Sequence, residues 1–247
     1  MLGSQNIVAI IPARFGSTRF PGKPLALVGG VPMIERVYRR VTDSGVVDKV
    51  IVATDDIRIK DVVDGFGGEV VMTKIDCENG TLRCFDAMQK LDPEPDAVIN
   101  VQGDEPFVHP EQLKSLVELI KKPDVSIATL AYPMKSSDPG REDVNRVKVV
   151  RDESGRALYF SRSPIPHNEG PWLQHVGLYG FKSAVLNVIS GLTPSVLEER
   201  ENLEQLRWLS AGIKIVVGTT EHRTPSIDTP KDLVKIEELL GNGWSVD

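Results

Sequence analysis

The chain has 247 residues, 29 Lys+Arg against 35 Asp+Glu, and a formal net charge of -6. With 40% hydrophobic and 26% charged residues it is soluble and globular in composition, which excludes a disordered, collagenous or coiled-coil chain. An acidic balance argues against a general DNA or RNA binder, and two cysteines exclude a disulfide framework and a four-cysteine zinc site.

Ile7-Val8-Ala9-Ile10-Ile11 is a continuous apolar run, as in a strand buried on both faces. A polar, Gly/Pro-rich loop from Ala13 to Pro24 follows. Pro32 then opens a helical pattern with Ile34, Val37, Tyr38 and Val41 on one face, ending near Gly45. Val50–Ala53 predicts a second buried strand, Ile59 to Phe66 a helix stopped by Gly67-Gly68, and Val70–Met72 a short strand. Thr81 to Leu91 reads as helix, Ala97 to Val101 as strand running into Gly103-Asp104, and Pro110 to Ile120 as helix. This alternation predicts an open, mostly parallel α/β sheet. Ligands bind such sheets outside the carboxyl ends of the strands. Chain order alone therefore gathers Ala13–Pro24, Asp55, Asp76–Thr81 and Gln102–Glu105 on one rim.

After Tyr132 the pattern changes. Val147–Val150, Ala157–Phe160 and Val176–Phe181 look like strands without regular helices between them, predicting antiparallel additions and a substrate-covering lobe. Leu203, Leu206 and Leu209 mark a helix, Ile213 to Val217 a strand, and Lys231 to Leu240 a closing amphipathic helix. No repeat or linker interrupts the chain. The expectation is a single domain over 1–247, with halves at about 1–132 and 133–220 and a closing segment at 221–247.

The chemistry concentrates in the first loop. Gly16 and Gly22 let the backbone approach an anion, successive loop N–H groups make an anion-binding concavity, and Arg14, Arg19 and Lys23 add three positive charges. Together these suit a triphosphate; charge alone would fit a solvated basic loop equally well. The loop is neither a Walker A sequence nor a G-x-G-x-x-G fingerprint, which weighs against P-loop and dinucleotide readings. Gln102-Gly103-Asp104-Glu105-Pro106 places a carboxylate at a strand end facing that loop. Mg²⁺ takes one or two carboxylates plus phosphate oxygens and water, so Asp104 is a candidate ligand. Asp228 is a second candidate, with a helix N-cap as its competing role before Pro230. Glu105 could also be simple surface. Likewise His175 reads as a core histidine in an apolar strand, and Arg162 as either a carboxylate partner or a structural cation. Cys77 and Cys84 read as two reduced thiols rather than a redox pair.

The segments R-F-G-S-T-R-F-P-G-K-P, V-A-T-D-D, Q-G-D-E-P, A-L-Y-F-S-R-S-P-I-P-H, H-V-G-L-Y-G-F, L-E-Q-L-R and D-T-P occur in this order. In these the chain closely resembles the 3-deoxy-manno-octulosonate cytidylyltransferases, or CMP-Kdo synthetases, from Val8 to about Leu239. The resemblance implies a Rossmann-like nucleotidyltransferase sheet with a smaller mixed or antiparallel lobe for sugar binding and dimerisation. It implies transfer of the cytidylyl group from CTP to Kdo, giving CMP-Kdo and pyrophosphate for lipopolysaccharide synthesis, with Mg²⁺ as cofactor. Arg14, Lys23 and Asp104 would be catalytic. Ala13, Arg14, Gly16, Ser17, Arg19, Lys23, Asn79, Gly80 and Thr81 would hold the nucleotide. Gln102, Arg162, His175, Tyr179 and Glu204 would line the Kdo pocket, and Asp104 and Asp228 would ligate Mg²⁺. A homodimer is implied, with neither nucleic acid nor membrane as partner.

The expected chemistry is an in-line attack of the sugar's anomeric 2-hydroxyl on the α-phosphate. One position departs from the common pattern: Leu82 stands where many relatives have an acid beside Arg83, which bears on base recognition. A cytidylyltransferase for another acidic sugar, and a non-catalytic nucleotide sensor, are the competing readings. No apolar run approaches the roughly 20 residues of a membrane span, and Met1 to Ile7 lacks a signal-peptide pattern. A cytoplasmic protein is expected.

Overall fold

In the computed structural model, residues 5–16 and 20–244 are described, and they divide into two units. The first combines the chain up to Lys114 with the chain from Thr224 onward; the second is Ser115–Arg223. The sequence reading had placed the change of character near Tyr132.

The first unit begins with β1 (Ile7–Ala13), every residue of which is buried. After the polar loop and a 3₁₀ turn at Lys23–Leu25 come the two short strands β2 (Leu27–Val28) and β3 (Val31–Pro32). Then follow α1 (Met33–Asp43), β4 (Lys49–Thr54), α2 (Ile57–Gly65), β5 (Val70–Met72), α3 (Gly80–Met88) and β6 (Ala97–Asn100). β1 pairs in parallel with both β4 and β6, and β4 with β5, so the sheet runs β6-β1-β4-β5. Burial on both faces explains why its strands read as unbroken apolar runs. All strand carboxyl ends consequently lie along one rim, as chain order predicted.

The boundary between the units falls within α4 (Pro110–Ile120). The second unit contains β7 (Ile127–Met134), β8 (Lys148–Arg151), β9 (Ala157–Ser161) and β10 (Trp172–Lys182), then α5 (Ser183–Ile189), α6 (Val196–Glu201), α7 (Gln205–Ser210) and β11 (Ile215–Thr219). β10 is antiparallel to β7 and β8, β8 to β9, and β11 alone is parallel, to β7. A mixed second lobe was expected, whereas β7, α5, α6 and the first four residues of β10, before Val176, were not. Finally α8 (Pro230–Gly241) returns the chain to the first unit.

α8 seals a local core beside the rim. Ile227 and Ile236 pack with Val28, Met33 and Phe107, all buried. The β2–β3 hairpin turns on Gly29 and Gly30, both at positive φ, and the Gly29 N–H is held by Glu237 of α8.

Candidate active site

At the rim of the first unit lies a cleft of about 340 Å³. Three segments wall it: Pro12, Ala13, Arg14, Lys23 and Pro24 from the first loop; Cys77 to Gly80 and Arg83 around the start of α3; and Gln102, Gly103 and Asp104 after β6. The sequence brought the same three segments together, because each follows a parallel strand or opens the helix after one. Gly16 is an exposed loop residue with open space around its Cα, and Thr81 is buried in the first turn of α3. Ser17 and Arg19 lie outside the described residues.

The phosphate-side loop is closed by its own backbone. Gly22 sits at φ 72 and its N–H donates to the Phe15 carbonyl at 2.9 Å. A Cβ there would lie 3.2 Å from the Phe15 ring, so close approach and left-handed geometry both demand glycine. The Phe15 ring is also covered by the Arg58 guanidinium, 3.3 Å from its centroid. Arg58 is held by Asp56, which also caps α2. Behind the loop, an added Cβ on Gly103 would meet the Pro12 carbonyl at 3.1 Å.

Lys23 links the two acids that sequence singled out. Its Nζ donates to Asp104 Oδ2 at 2.7 Å and lies 3.5 Å from Asp228 Oδ1. These carboxylates are 124 residues apart in sequence, and the backbone joins them: the Ile227 N–H donates to the Asp104 carbonyl at 3.1 Å. The helix-capping role considered for Asp228 belongs instead to Thr229, which forms a capping box with Asp232. Glu105 is not surface. Burial, then the charges of Asp104 and Asp228, push its carboxyl up to about 8, with Lys23 opposing.

Asp104 and Asp228 together carry more charge than the one ammonium between them neutralises. Among the described residues no three His, Cys, Asp or Glu side chains form a ready metal cage. Asp104 on the cleft wall and Asp228 across Lys23 from it are nonetheless the sparse protein set that Mg²⁺ takes when phosphate and water supply the rest. Asp104 and Asp228 fit that cation.

On the α3 side, Asn79 caps the helix by accepting from the Leu82 N–H at 2.8 Å. Gly80 is packed so closely that a Cβ would meet Pro12 at 3.2 Å and Gln102 Oε1 at 3.3 Å. Gln102 Nε2 donates to Asn100 Oδ1 at 3.0 Å, which fixes the amide. Leu82 supplies no acid for Arg83, and Asp55 takes that part. Arg83 meets both Asp55 oxygens at 3.3 Å and Thr73 Oγ1 at 2.6 Å. Sequence placed Asp55 on the rim but did not pair it with Arg83. Cys77 and Cys84 are both free thiols; burial raises the Cys77 pKa.

His175, Tyr179, Arg162 and Glu204 all belong to the second unit. His175 and Tyr179 meet because β10 is irregular. Val176 pairs with Leu130 but Tyr179 with Thr129, a bulge that brings the two rings to 5.4 Å. Thr129 Oγ1 lies 2.7 Å from the Leu178 carbonyl, 3.2 Å from that of Val176 and 3.0 Å from His175 Nε2. The hydroxyl has one proton and carbonyls can only accept, so His175 Nε2 donates to Thr129 and Nδ1 is the bare acceptor. Desolvation between Phe160 and Tyr179 drives the imidazole pKa down to about 3. Tyr179 is also flanked by Trp208 at 5.1 Å, and its buried hydroxyl has no protein partner. Arg162 donates to three backbone carbonyls, an arrangement taken up below.

A parallel α/β sheet whose rim bears a basic loop, a polar cleft and a lysine between the carboxylates of Asp104 and Asp228 fits a nucleotide-handling enzyme of the nucleotidyltransferase class. Comparison with known proteins narrows it. The cytidylyltransferase family model matches residues 8–215. A 3-deoxy-manno-octulosonate cytidylyltransferase of Parabacteroides distasonis is 48% identical over 251 residues, covering 96% of this chain and 99% of that protein. A mitochondrial 3-deoxy-manno-octulosonate cytidylyltransferase of Arabidopsis thaliana is 43% identical, with 96% and 83% covered. The solved structure of CMP:2-keto-3-deoxy-manno-octonic acid synthetase complexed with CTP superposes with a TM-score of 0.91 at 40% identity, covering 96% of this chain and 99% of that one. The chain belongs to the cytidylyltransferase family, among its 3-deoxy-manno-octulosonate cytidylyltransferases.

Proposed function

We propose that this protein joins Kdo to CTP, giving CMP-Kdo and pyrophosphate, with the first unit as the CTP-binding half and the second as the sugar-binding lobe. The observation that carries the reading is Lys23, held between Asp104 and Asp228, in the wall of a cleft formed in part by the basic loop. The reaction forms a bond from the sugar's 2-hydroxyl oxygen to the α-phosphorus and breaks the bond from that phosphorus to pyrophosphate. No covalent intermediate is needed; positioning and charge neutralisation supply the catalysis.

Arg14 and Lys23 neutralise the triphosphate, Lys23 nearest the reacting phosphate. Lys23 is prepared for this because its ammonium is already fixed by acids on two sides. Ala13 and the Asn79-Gly80-Thr81 turn receive the base and ribose, with Gly16, Ser17 and Arg19 completing the loop. Asp104 and Asp228 would hold Mg²⁺, which when bound would screen phosphate charge and lower the pKa of a hydroxyl it touches. Gln102, with its amide fixed by Asn100, offers hydrogen bonds to the sugar. The bare Nδ1 of His175, the Tyr179 hydroxyl and Glu204 offer three more polar contacts suited to a polyhydroxylated acid.

The product serves lipopolysaccharide synthesis, and a cytoplasmic location fits a chain in which no described helix is long and apolar enough to cross a membrane. We also propose a homodimer through the second unit, where Leu158, Val188 and Val196 are more than half exposed. Sedimentation at micromolar concentration should give twice the chain mass; a monomer there would remove the dimer.

The deciding measurement is pyrophosphate release with Mg²⁺, CTP and Kdo, beside N-acetylneuraminate and beside UTP. Release only with CTP and Kdo is expected. Release with the other acid sugar would move the sugar assignment while keeping the phosphate site. CTP binding without release from any pair would leave a nucleotide sensor.

A further inference from the structure

We infer that Arg162 is a positioning residue, which locks the turn carrying Glu204, and is not the partner of the sugar's carboxylate. Arg162 follows β9, and its guanidinium is committed to main-chain oxygens. Nε donates to the Glu201 carbonyl at 2.8 Å, Nη2 to the Asn202 carbonyl at 3.2 Å and Nη1 to the Val144 carbonyl at 3.0 Å. Three of its five N–H donors are thereby spent on two separate segments.

The grip is reciprocal. The Glu201 carboxylate accepts from the Arg162 main-chain N–H at 2.8 Å and from Ser161 Oγ at 2.9 Å. Lys148, fully buried, donates to the Arg162 carbonyl at 2.7 Å and to that of Asp143 at 2.8 Å. Each end of this strand exit is therefore tied by charge-assisted bonds, the stronger kind.

The tied segment needs tying. Asn202 ends α6 at φ 53 and ψ 50, the one non-glycine at positive φ among the described residues. The last carbonyls of a helix have no partner within it, and a cation there satisfies both their hydrogen bonding and the negative end of the helix dipole. Arg162 caps two of them. Glu204 lies two residues beyond Asn202, and α7 begins directly after it. α7 is bound back to α6 by the Arg207–Glu198 pair, with two contacts of 2.7 Å, and presents Trp208 to Tyr179. A carboxylate ligand that took the Nε and Nη2 donors now given to the Glu201 and Asn202 carbonyls would release the turn that carries Glu204.

The inference rests on the proposed role of Glu204 in sugar binding. The test is a double-mutant cycle on steady-state kinetics with Kdo and CTP. Arg162→Ala should lower kcat/KM for the sugar by up to about 10²-fold, the scale of an ångström-level misplacement, and leave KM for CTP unchanged. Arg162→Lys should be as damaging, because one ammonium on a flexible stem cannot serve three carbonyls. Arg162→Ala combined with Glu204→Gln should be no worse than the more damaging single change. Multiplying losses, or substantial rescue by lysine, would overturn the inference, as would a matching rise in KM for CTP. If Arg162→Ala does not fold, Glu201→Gln with Glu204→Gln decides by the same additivity. A silent Glu204→Gln would remove the sugar-site reading and this inference with it, whereas a damaging Glu204→Gln with additive losses removes the inference alone.

Discussion

The Lys23 ammonium offsets Asp104 and Asp228, and in the proposed reaction it would offset the charge of the leaving group. Lys23→Ala should therefore lower kcat by about 10²–10³, the cost of one lost contact to developing charge. Asp104→Asn should abolish Mg²⁺-dependent pyrophosphate release while the thermal unfolding temperature stays near that of the parent, since the residue is part-exposed and not core. Near-normal turnover by Asp104→Asn would refute the metal assignment.

These residues were legible because each ends a buried strand or opens the loop after one. Asp228 was not separable from an N-cap by sequence, since Asp-Thr-Pro offers two capping side chains and only geometry shows Thr229 taking the duty. Arg162 was harder still: its partners are carbonyls, and every residue type has one. The same limit hid the Asp55–Arg83 pair, whose members come from different βα units.

At the scale of elements, the bulge in β10 has the largest effect. In a regular strand residues four apart are about 13 Å from one another; the extra residues fold that span until the rings of His175 and Tyr179 touch. Nothing in the alternation of Val176 to Phe181 signals this, because a bulge is decided by the partner strand. The bulge also encloses His175 and holds it neutral. Its pKa falls from 6.5 unfolded to about 3 folded. Below pH 6.5 the unfolded chain binds a proton that the folded chain refuses, so this stability is full above pH 6.5 and is lost as pH falls toward 3. The group contributes at most about 1.4 kcal/mol per pH unit in that window. Urea unfolding at pH 7 and pH 5 should show a smaller acid loss for His175→Gln than for the parent chain. Equal losses would place the acid sensitivity elsewhere.

Across the whole molecule, the first unit is discontinuous in sequence. The alternating strands and helices of its amino-terminal part were readable from apolar runs and glycine stops. That the chain from Thr224 returns to the same unit was not, since it depends on Ile227 and Ile236 finding Val28, Met33 and Phe107. A chain ending at Arg223 would leave that apolar surface uncovered. It should bind a hydrophobic dye such as ANS and release no pyrophosphate; an active truncated chain would show that Asp228 is dispensable.

The placement of Asp228 sets a schedule for synthesis. A ribosome builds chains from the amino terminus, and early segments begin to fold before later ones exist. The basic loop and Asp104 emerge in the first half of translation, whereas the second acid of the pair is threaded out only with the last segment. If Asp104 and Asp228 hold the cation as proposed, a nascent chain stopped short of Asp228 carries one of the two acids and should release no pyrophosphate however well its early strands have folded. Competence would then wait on the segment that carries Asp228, 124 residues after Asp104 in the order of synthesis.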